Sequence, residues 1–198
     1  MNKTAPHVIH SCTSKSFSGL ERYVLDLVKW QYDQGYSVEL YCRKNSHLER
    51  AAREQGIPLW TVSHSARPNP LFWFQQELAW RSRKGLKNTV LHLHAGGEPL
   101  YHLPWLLKHA LSKGSRFQKT ILQFHILINH KKKNPVHQLF YSGLDEVWCS
   151  SESARAHLST LLPVKREQIR VVSYGRDVEA LDSIPKKQWR IEERSKLG

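Results

Sequence analysis

Short apolar runs and helical patterns take turns along this chain, and that order constrains the fold more than any other feature. The runs His7–Cys12, Ser37–Cys42, Pro58–Val62, Thr89–His94, Thr120–His125, Glu146–Cys149 and Gln168–Ser173 read as strands. Between them, Gly19–Gln34, Ser46–Gln55, Pro70–Arg83, Pro99–Leu111, Pro135–Ser142 and Ser151–Leu161 carry apolar residues at helical spacing. Such alternation predicts a doubly wound α/β domain, a parallel sheet of six or seven strands with helices on both faces and right-handed crossovers. The 198 residues hold one good-sized domain, or one domain and the beginning of another. Ligands of such sheets gather at the carboxyl ends of the strands, here Ser11–Gly19, His94–Glu98, His125–Asn129, Cys149–Ser151 and Tyr174–Asp177.

The stretch SFSGLER, Ser16 to Arg22, sits between the first strand and the first helix. Ser18 followed three residues later by Glu21 is a capping box, which satisfies N–H groups of the first turn. A helix starting just after a strand also points its unpaired N–H groups into the crevice above the sheet, where phosphates bind. Cap and phosphate seat are compatible, and both readings stay open at this point. Gly35 ends the helical pattern.

Charge narrows the partners. Lys and Arg total 30 against 17 Asp and Glu, a formal net charge of +13, with clusters at Arg81–Lys87 and His130–Lys133. That field favours anionic partners, whether nucleic acid, phosphorylated sugars, nucleotides or an acidic membrane surface. The run Lys131, Lys132, Lys133 reads equally as a solvated loop. Cys12, Cys42 and Cys149 have no paired CxxC and no zinc-type spacing, so they read as reduced thiols of a cytoplasmic protein. No apolar stretch approaches the ~18 residues of a membrane span. The aromatic segment LFWFQQELAW, Leu71 to Trp80, reads as a helix that partly buries Phe72, Phe74 and Trp80.

Several residues could carry chemistry. His125 closes a strand that should open into the crevice, although a histidine satisfied within a loop fits the same position. His92 and His94 share one strand face, since side chains two apart point the same way. No third metal ligand at suitable spacing stands out, so no metal and no cofactor are assigned. The turn HAGGE, His94 to Glu98, would let backbone approach a ligand at Gly96 and Gly97, or simply join a strand to a helix. No G-x-S-x-G elbow, Walker lysine or dinucleotide fingerprint is present.

Four stretches taken in order resemble the amino-terminal domain of retaining, family 4 glycosyltransferases. They are HVIH with SFSGLERYVLDLVKWQYDQGYSVELYC, then TVLHLHAGG, then TILQFH, then LDEVWCSSESARAHL with LPVKREQIRVVSYGRDVEAL. The resemblance covers nearly the whole chain and implies a Rossmann-like half of a GT-B fold over residues 1–178. It implies that Ser18, Gly19 and Leu20 form the loop facing the donor diphosphate. By the same resemblance His125 lies against the transferred sugar, as an electrostatic and positioning group. His94, Gly96, Gly97 and Lys131–Lys133 would line the substrate side. Two departures stand out: Ser18 replaces the first glycine of the family's Gly-Gly pair, and Tyr174 stands where the family usually has Asn, while Asp177 matches.

The family's nucleotide-binding carboxyl-terminal domain carries two glutamates separated by seven residues, and no two glutamates here are so spaced. Residues 179–198 read as a linker leading to that second domain. The resemblance therefore implies the acceptor-side half of an enzyme that passes a sugar from a nucleotide-sugar donor to a glycan or lipid-linked acceptor of the cell envelope. Taken alone, this half would be inactive. A peripheral place on the inner face of the membrane follows from the basic runs. A basic nucleic-acid-binding module or a non-catalytic glycan-binding module are the alternatives, although no recognisable DNA- or RNA-reading motif accompanies the charge.

Overall fold

Seven strands, all parallel, form one sheet in the order β3-β2-β1-β4-β5-β6-β7. The computed structural model describes residues 5–63, 68–81, 86–112 and 117–174. The proposed linker 179–198, Asp177 and most of the cluster between Arg81 and Lys87 lie outside the described residues. The strands are β1 His7–Cys12, β2 Val38–Arg43, β3 Leu59–Val62, β4 Thr89–Leu93, β5 Lys119–Gln123, β6 Glu146–Cys149 and β7 Ile169–Val171. The helices are α1 Gly19–Asp33, α2 His47–Glu54, α3 Pro70–Arg81, α4 Glu98–Tyr101, α5 Leu103–Leu111, α6 Pro135–Tyr141 and α7 Glu152–Leu161. The doubly wound sheet and its strand count agree with the sequence reading.

Helices on both faces bury the strands on both sides, as all-parallel sheets require. On one face Val24, Leu25 and Val28 of α1 and Leu48 and Ala52 of α2 pack on Cys12, Val38, Leu40 and Cys42. On the other, Tyr41, Ile9, Leu91 and Leu93 meet Trp80 of α3 and Trp105 and Leu106 of α5. Alternate residues of one strand thus serve two cores. Gly35 takes φ +77°, the left-handed conformation that closes α1.

Two helical expectations need correction. Pro99–Leu111 is not one helix: it divides at His102 into α4 and α5, because Pro104 has no N–H to donate back into the preceding turn. In α3, Phe72 and Trp80 are buried but Phe74 is 61% exposed. With Leu71 and Leu78 it faces solvent, while Phe72 and Trp80 belong to the core. The three cysteines are buried and unpaired. No helix among the described residues is long and apolar enough to cross a membrane.

Candidate functional site

The chain runs outward from β1 in both directions across the sheet, so the loops after β1 and β4 part at their carboxyl ends and leave a crevice. Into it points the N-terminus of α1. The Glu21 carboxylate reaches back to accept the Ser18 N–H at 2.6 Å and the Ser18 hydroxyl at 2.8 Å, so the capping interaction read from the sequence is made. Ser18 and Gly19 remain exposed. A Cβ at Gly19 would touch nothing within 4 Å, so the space over this first turn is open. Leu20 turns instead toward the α1 and α2 core.

Burial alone would raise the Glu21 carboxyl, but hydrogen bonds from Ser14, Ser18 and its own backbone outweigh it and hold the pKa below the ordinary glutamate range. A carboxylate whose folded-state pKa is depressed adds stability that is complete above its unfolded-state pKa. That stability is lost as the pH falls through the folded-state value. Glu21→Gln is therefore expected to cost about 1 kcal/mol at pH 7, in the range of lost caps. It should also flatten the acid side of a Tm-against-pH curve; a curve parallel to wild type between pH 3 and pH 7 would reject the assignment.

His125 stands two residues beyond β5. It lines a cleft of about 140 Å³ with Phe124, Ile126, Ser150, Ser151 and Ala154, above the ends of β5 and β6. Its ring lies 4.9 Å from Tyr23 of α1 and stacks on Tyr174 at 5.5 Å with 14° between planes. Tyr23 and Tyr174 are 4.9 Å apart, edge to face. Burial lowers the His125 pKa to about 4, only partly opposed by Glu21, so the ring is neutral near pH 7. What it offers the cleft is therefore a neutral hydrogen-bonding ring and not a cation.

Behind His125 lies a seam of buried imidazoles. His94 Nδ1 is 3.3 Å from His125 Nε2, His94 Nε2 is 2.9 Å from His10 Nδ1, and His10 Nε2 is 2.7 Å from Gln31 Oε1 of α1. His92 packs beside them, its ring tilted 36° to that of His94 with 4.1 Å between ring centroids. The sequence reading found no third partner for the HLH pair. The parallel register supplies one, because His10 of β1 lies opposite His92 of β4. Nitrogens of His10, His92 and His94 lie within 4.8 Å of one another, the spacing of a conceivable metal site. The 2.9 Å contact is hydrogen-bond length, whereas two nitrogens on one tetrahedral zinc at ~2.0–2.1 Å sit about 3.3 Å apart. Desolvation holds His10 at about 4 and drives His92 and His94 well below the usual histidine range.

A second polar network faces the other side of β1. Ser11 Oγ donates to Glu98 Oε2 at 2.5 Å and lies 2.7 Å from His102 Nε2, while Thr13 N–H and hydroxyl donate to Glu98 Oε1 at 2.7 and 2.8 Å. Burial pushes the Glu98 carboxyl up, against the pull of those bonds. Ser11, Glu98 and His102 are almost fully enclosed, so they tie the β1 loop to the β4 loop and present no nucleophile to a substrate. In that β4 loop a Cβ on Gly96 would come within 3.1 Å of the Phe124 ring and 3.5 Å of Lys132 Nζ. Gly97 meets nothing. Lys132 is thus not part of a uniformly solvated run: its N–H donates to Leu161 O at 2.8 Å and desolvation lowers its pKa. Lys131 and Lys133 are exposed.

Of the residues singled out in the sequence, Ser18, His94, Gly96, Gly97 and His125 belong to loops at the carboxyl edge of the sheet, and Gly19 opens α1 beside them. Leu20 turns into the core, and Lys131 and Lys133 point outward. His10, Tyr23, Gln31 and Glu98 were not singled out. The one signal for His10 was a polar residue inside an apolar strand.

The seven-stranded doubly wound sheet is a Rossmann-like fold that matches GT-B glycosyltransferase structures. Residues 17–180 match glycosyltransferase family 4, and the chain belongs to that family. No curated protein matches it in sequence. A glycosyltransferase from Rickettsia africae shares the fold with a TM-score of 0.72 at 16% identity, over 100% of this chain and 51% of that one. Anabaena Alr3699/HepE, in complex with UDP and glucose, gives 0.60 at 13% identity over 88% and 46%. The lipopolysaccharide outer core galactosyltransferase WaaB, in its apo form, gives 0.54 at 11% over 84% and 44%. The chain spans about half the length of these structures.

Proposed function

We infer that this chain forms the acceptor-side half of a glycosyltransferase, working with a second, nucleotide-binding domain. It passes a sugar from a nucleotide-sugar donor to a glycan or lipid-linked acceptor with retention of configuration. The observation that carries this reading is the convergence of the open Gly19 turn and the neutral His125 on the same edge of the sheet. UDP and glucose in the HepE complex make a nucleotide sugar the natural donor to test.

In this mechanism the N–H groups of the first turn of α1 stabilise charge growing on the leaving diphosphate. His125 takes a hydrogen bond from the sugar and holds it against the cleft beside Ser150 and Ser151. It neither attacks nor carries charge. A panel of nucleotide sugars added to the enzyme with radiolabelled lipid and glycan acceptors tests the reading. Transfer with the anomeric configuration retained supports it; nucleic-acid binding that persists to high salt, with no transfer from any donor, rejects it.

An anionic membrane surface fits the segment after β5. Exposed Lys131 and Lys133 share it with exposed Ile126, Leu127, Val136 and Leu139, a mixture of basic and apolar groups that suits a lipid interface. Lys131→Gln with Lys133→Gln should reduce sedimentation with phosphatidylglycerol vesicles by about fivefold to thirtyfold at low salt, each lysine near an anionic surface contributing ~1 kcal/mol. Raising salt toward physiological strength should shrink the difference, because exposed charges are screened within about 8–10 Å. Equal sedimentation of wild type and variant would leave a solvated loop.

A further inference from the structure

We propose that the chain Gln31–His10–His94–His125 is a hydrogen-bond relay that fixes the tautomer of His125, leaving Nε2 protonated and presenting Nδ1 as a bare acceptor to the substrate. The proposal rests on the sugar-side role of His125 inferred above and names Gln31, His10 and His94 as positioning residues.

The argument is a count of protons. Three neutral imidazoles carry one N–H each, and the chain has three contacts, at 2.7, 2.9 and 3.3 Å. Gln31 Oε1 is an acceptor and has no hydrogen to give. His10 must therefore carry its proton on Nε2, which leaves Nδ1 bare. That lone pair takes the Nε2–H of His94, whose own Nδ1 is then bare and takes the Nε2–H of His125. Each of the three N–H groups of His10, His94 and His125 is committed. His10 and His94 are fully enclosed, so water does not compete for these contacts.

His125 Nδ1 makes no hydrogen bond with the described residues, and the ring lines the open cleft. An acceptor there selects a donor, such as the hydroxyl of a sugar, and disfavours a phosphate oxygen, which brings only lone pairs. The flanking Tyr23 and Tyr174 rings hold the imidazole plane, so polarity and direction are both set before a ligand arrives. The relay also gives His10 of β1 and His94, one residue beyond β4, a purpose that packing alone would not require, since apolar side chains would fill a parallel sheet as well.

The test is nitrogen NMR on the 15N-histidine-labelled protein, with His125 assigned by its disappearance in His125→Ala. The expected spectrum shows His125, His94 and His10 each protonated at Nε2 and bare at Nδ1. Gln31→Leu removes the terminal acceptor and should turn the single His125 tautomer into a mixture, while Gln31→Glu, which keeps an oxygen in place, should preserve it. The opposite tautomer at His125 in wild type overturns the proposal. So does loss of these signals with a rise in Tm on adding zinc chloride, which would make the cluster a metal site.

In transfer assays, Gln31→Leu should lower kcat about tenfold or more with the donor KM nearly unchanged, and Gln31→Glu should restore it, because small losses of alignment at a reacting group are costly. A fall in kcat for His125→Ala but not for Gln31→Leu, despite scrambled tautomers, would overturn the positioning role. The expected tautomers with transfer insensitive even to His125→Ala would uphold the relay and reject the sugar-side reading instead.

Discussion

His125→Ala is expected to lower kcat by about 10²–10³-fold, the loss that follows removal of one well-aimed polar group acting in a transition state. The KM for the donor should move far less. Most donor affinity would come from nucleotide contacts outside this chain, whereas in the proposed role His125 would touch only the sugar. The ring is neutral near pH 7, so its removal subtracts a hydrogen bond and a stacking partner for Tyr174 and leaves the local charge unchanged. Two consequences follow. The kcat profile should be level between about pH 6 and pH 8, because a group with its pKa at about 4 does not titrate there. His125→Asn, which keeps a polar group on a short planar side chain, should recover part of the loss. Steady-state kinetics on the three proteins decide the matter: equal kcat for wild type and His125→Ala would remove His125 from the site.

Much of this arrangement was legible in the sequence, and the reason is the parallel sheet. Buried on both faces, its strands show as nearly continuous apolar runs, so β1 and β6 were placed with their observed ends and the others within a residue or two. Capping chemistry did the same for α1, where Ser18 stands one residue before the helix; Ser46 and Ser151, read as the first residues of their helices, are the N-caps of α2 and α7. Where two local signals competed the reading failed: helical spacing from Pro99 to Leu111 hid the break that Pro104 imposes.

The site was legible only in part, because its residues meet through register and not through spacing. The HLH pattern of β4 was visible. That His10 completes a relay with it, 84 residues from His94 in sequence, depends on β1 lying beside β4 and pairing His10 with His92. A different strand order would have buried those imidazoles apart. Lys132 teaches the same lesson in reverse: three consecutive lysines look alike in sequence, yet the contact of the middle one with Leu161 sets it apart from its neighbours.

Gly143 carries no sequence signal at all, and Gly143→Ala should be the most destabilising glycine-to-alanine change among the described residues. A Cβ built there would lie 2.1 Å from the Leu106 carbonyl oxygen and 2.5 Å from its carbon, inside any possible contact distance. The obstacle is the backbone of α5, so no side chain can swing aside to make room. Nor can Gly143 itself retreat freely. Its own carbonyl accepts the Thr120 hydroxyl at 2.6 Å, and two residues on, Asp145 N–H donates back to that hydroxyl at 3.0 Å. Asp145 in turn accepts from the Thr120 N–H at 2.7 Å and meets His109 of α5 at 3.0 Å, closing a loop of contacts around the glycine. Relief must therefore come from shifting α5 against the turn between α6 and β6, which disturbs the buried Leu106, Tyr141 and Leu144 together. Overpacking of this kind costs about 3 kcal/mol, equivalent to a fall in Tm of about 6–12 °C for a domain of this size. Gly97→Ala serves as the control, since a methyl there meets nothing and the backbone is already helical. Calorimetry should find Gly97→Ala within about 2 °C of wild type, as expected for a change outside the packed interior. A Gly143→Ala melt equally close to wild type would mean that α5 and the turn do not meet as closely as described.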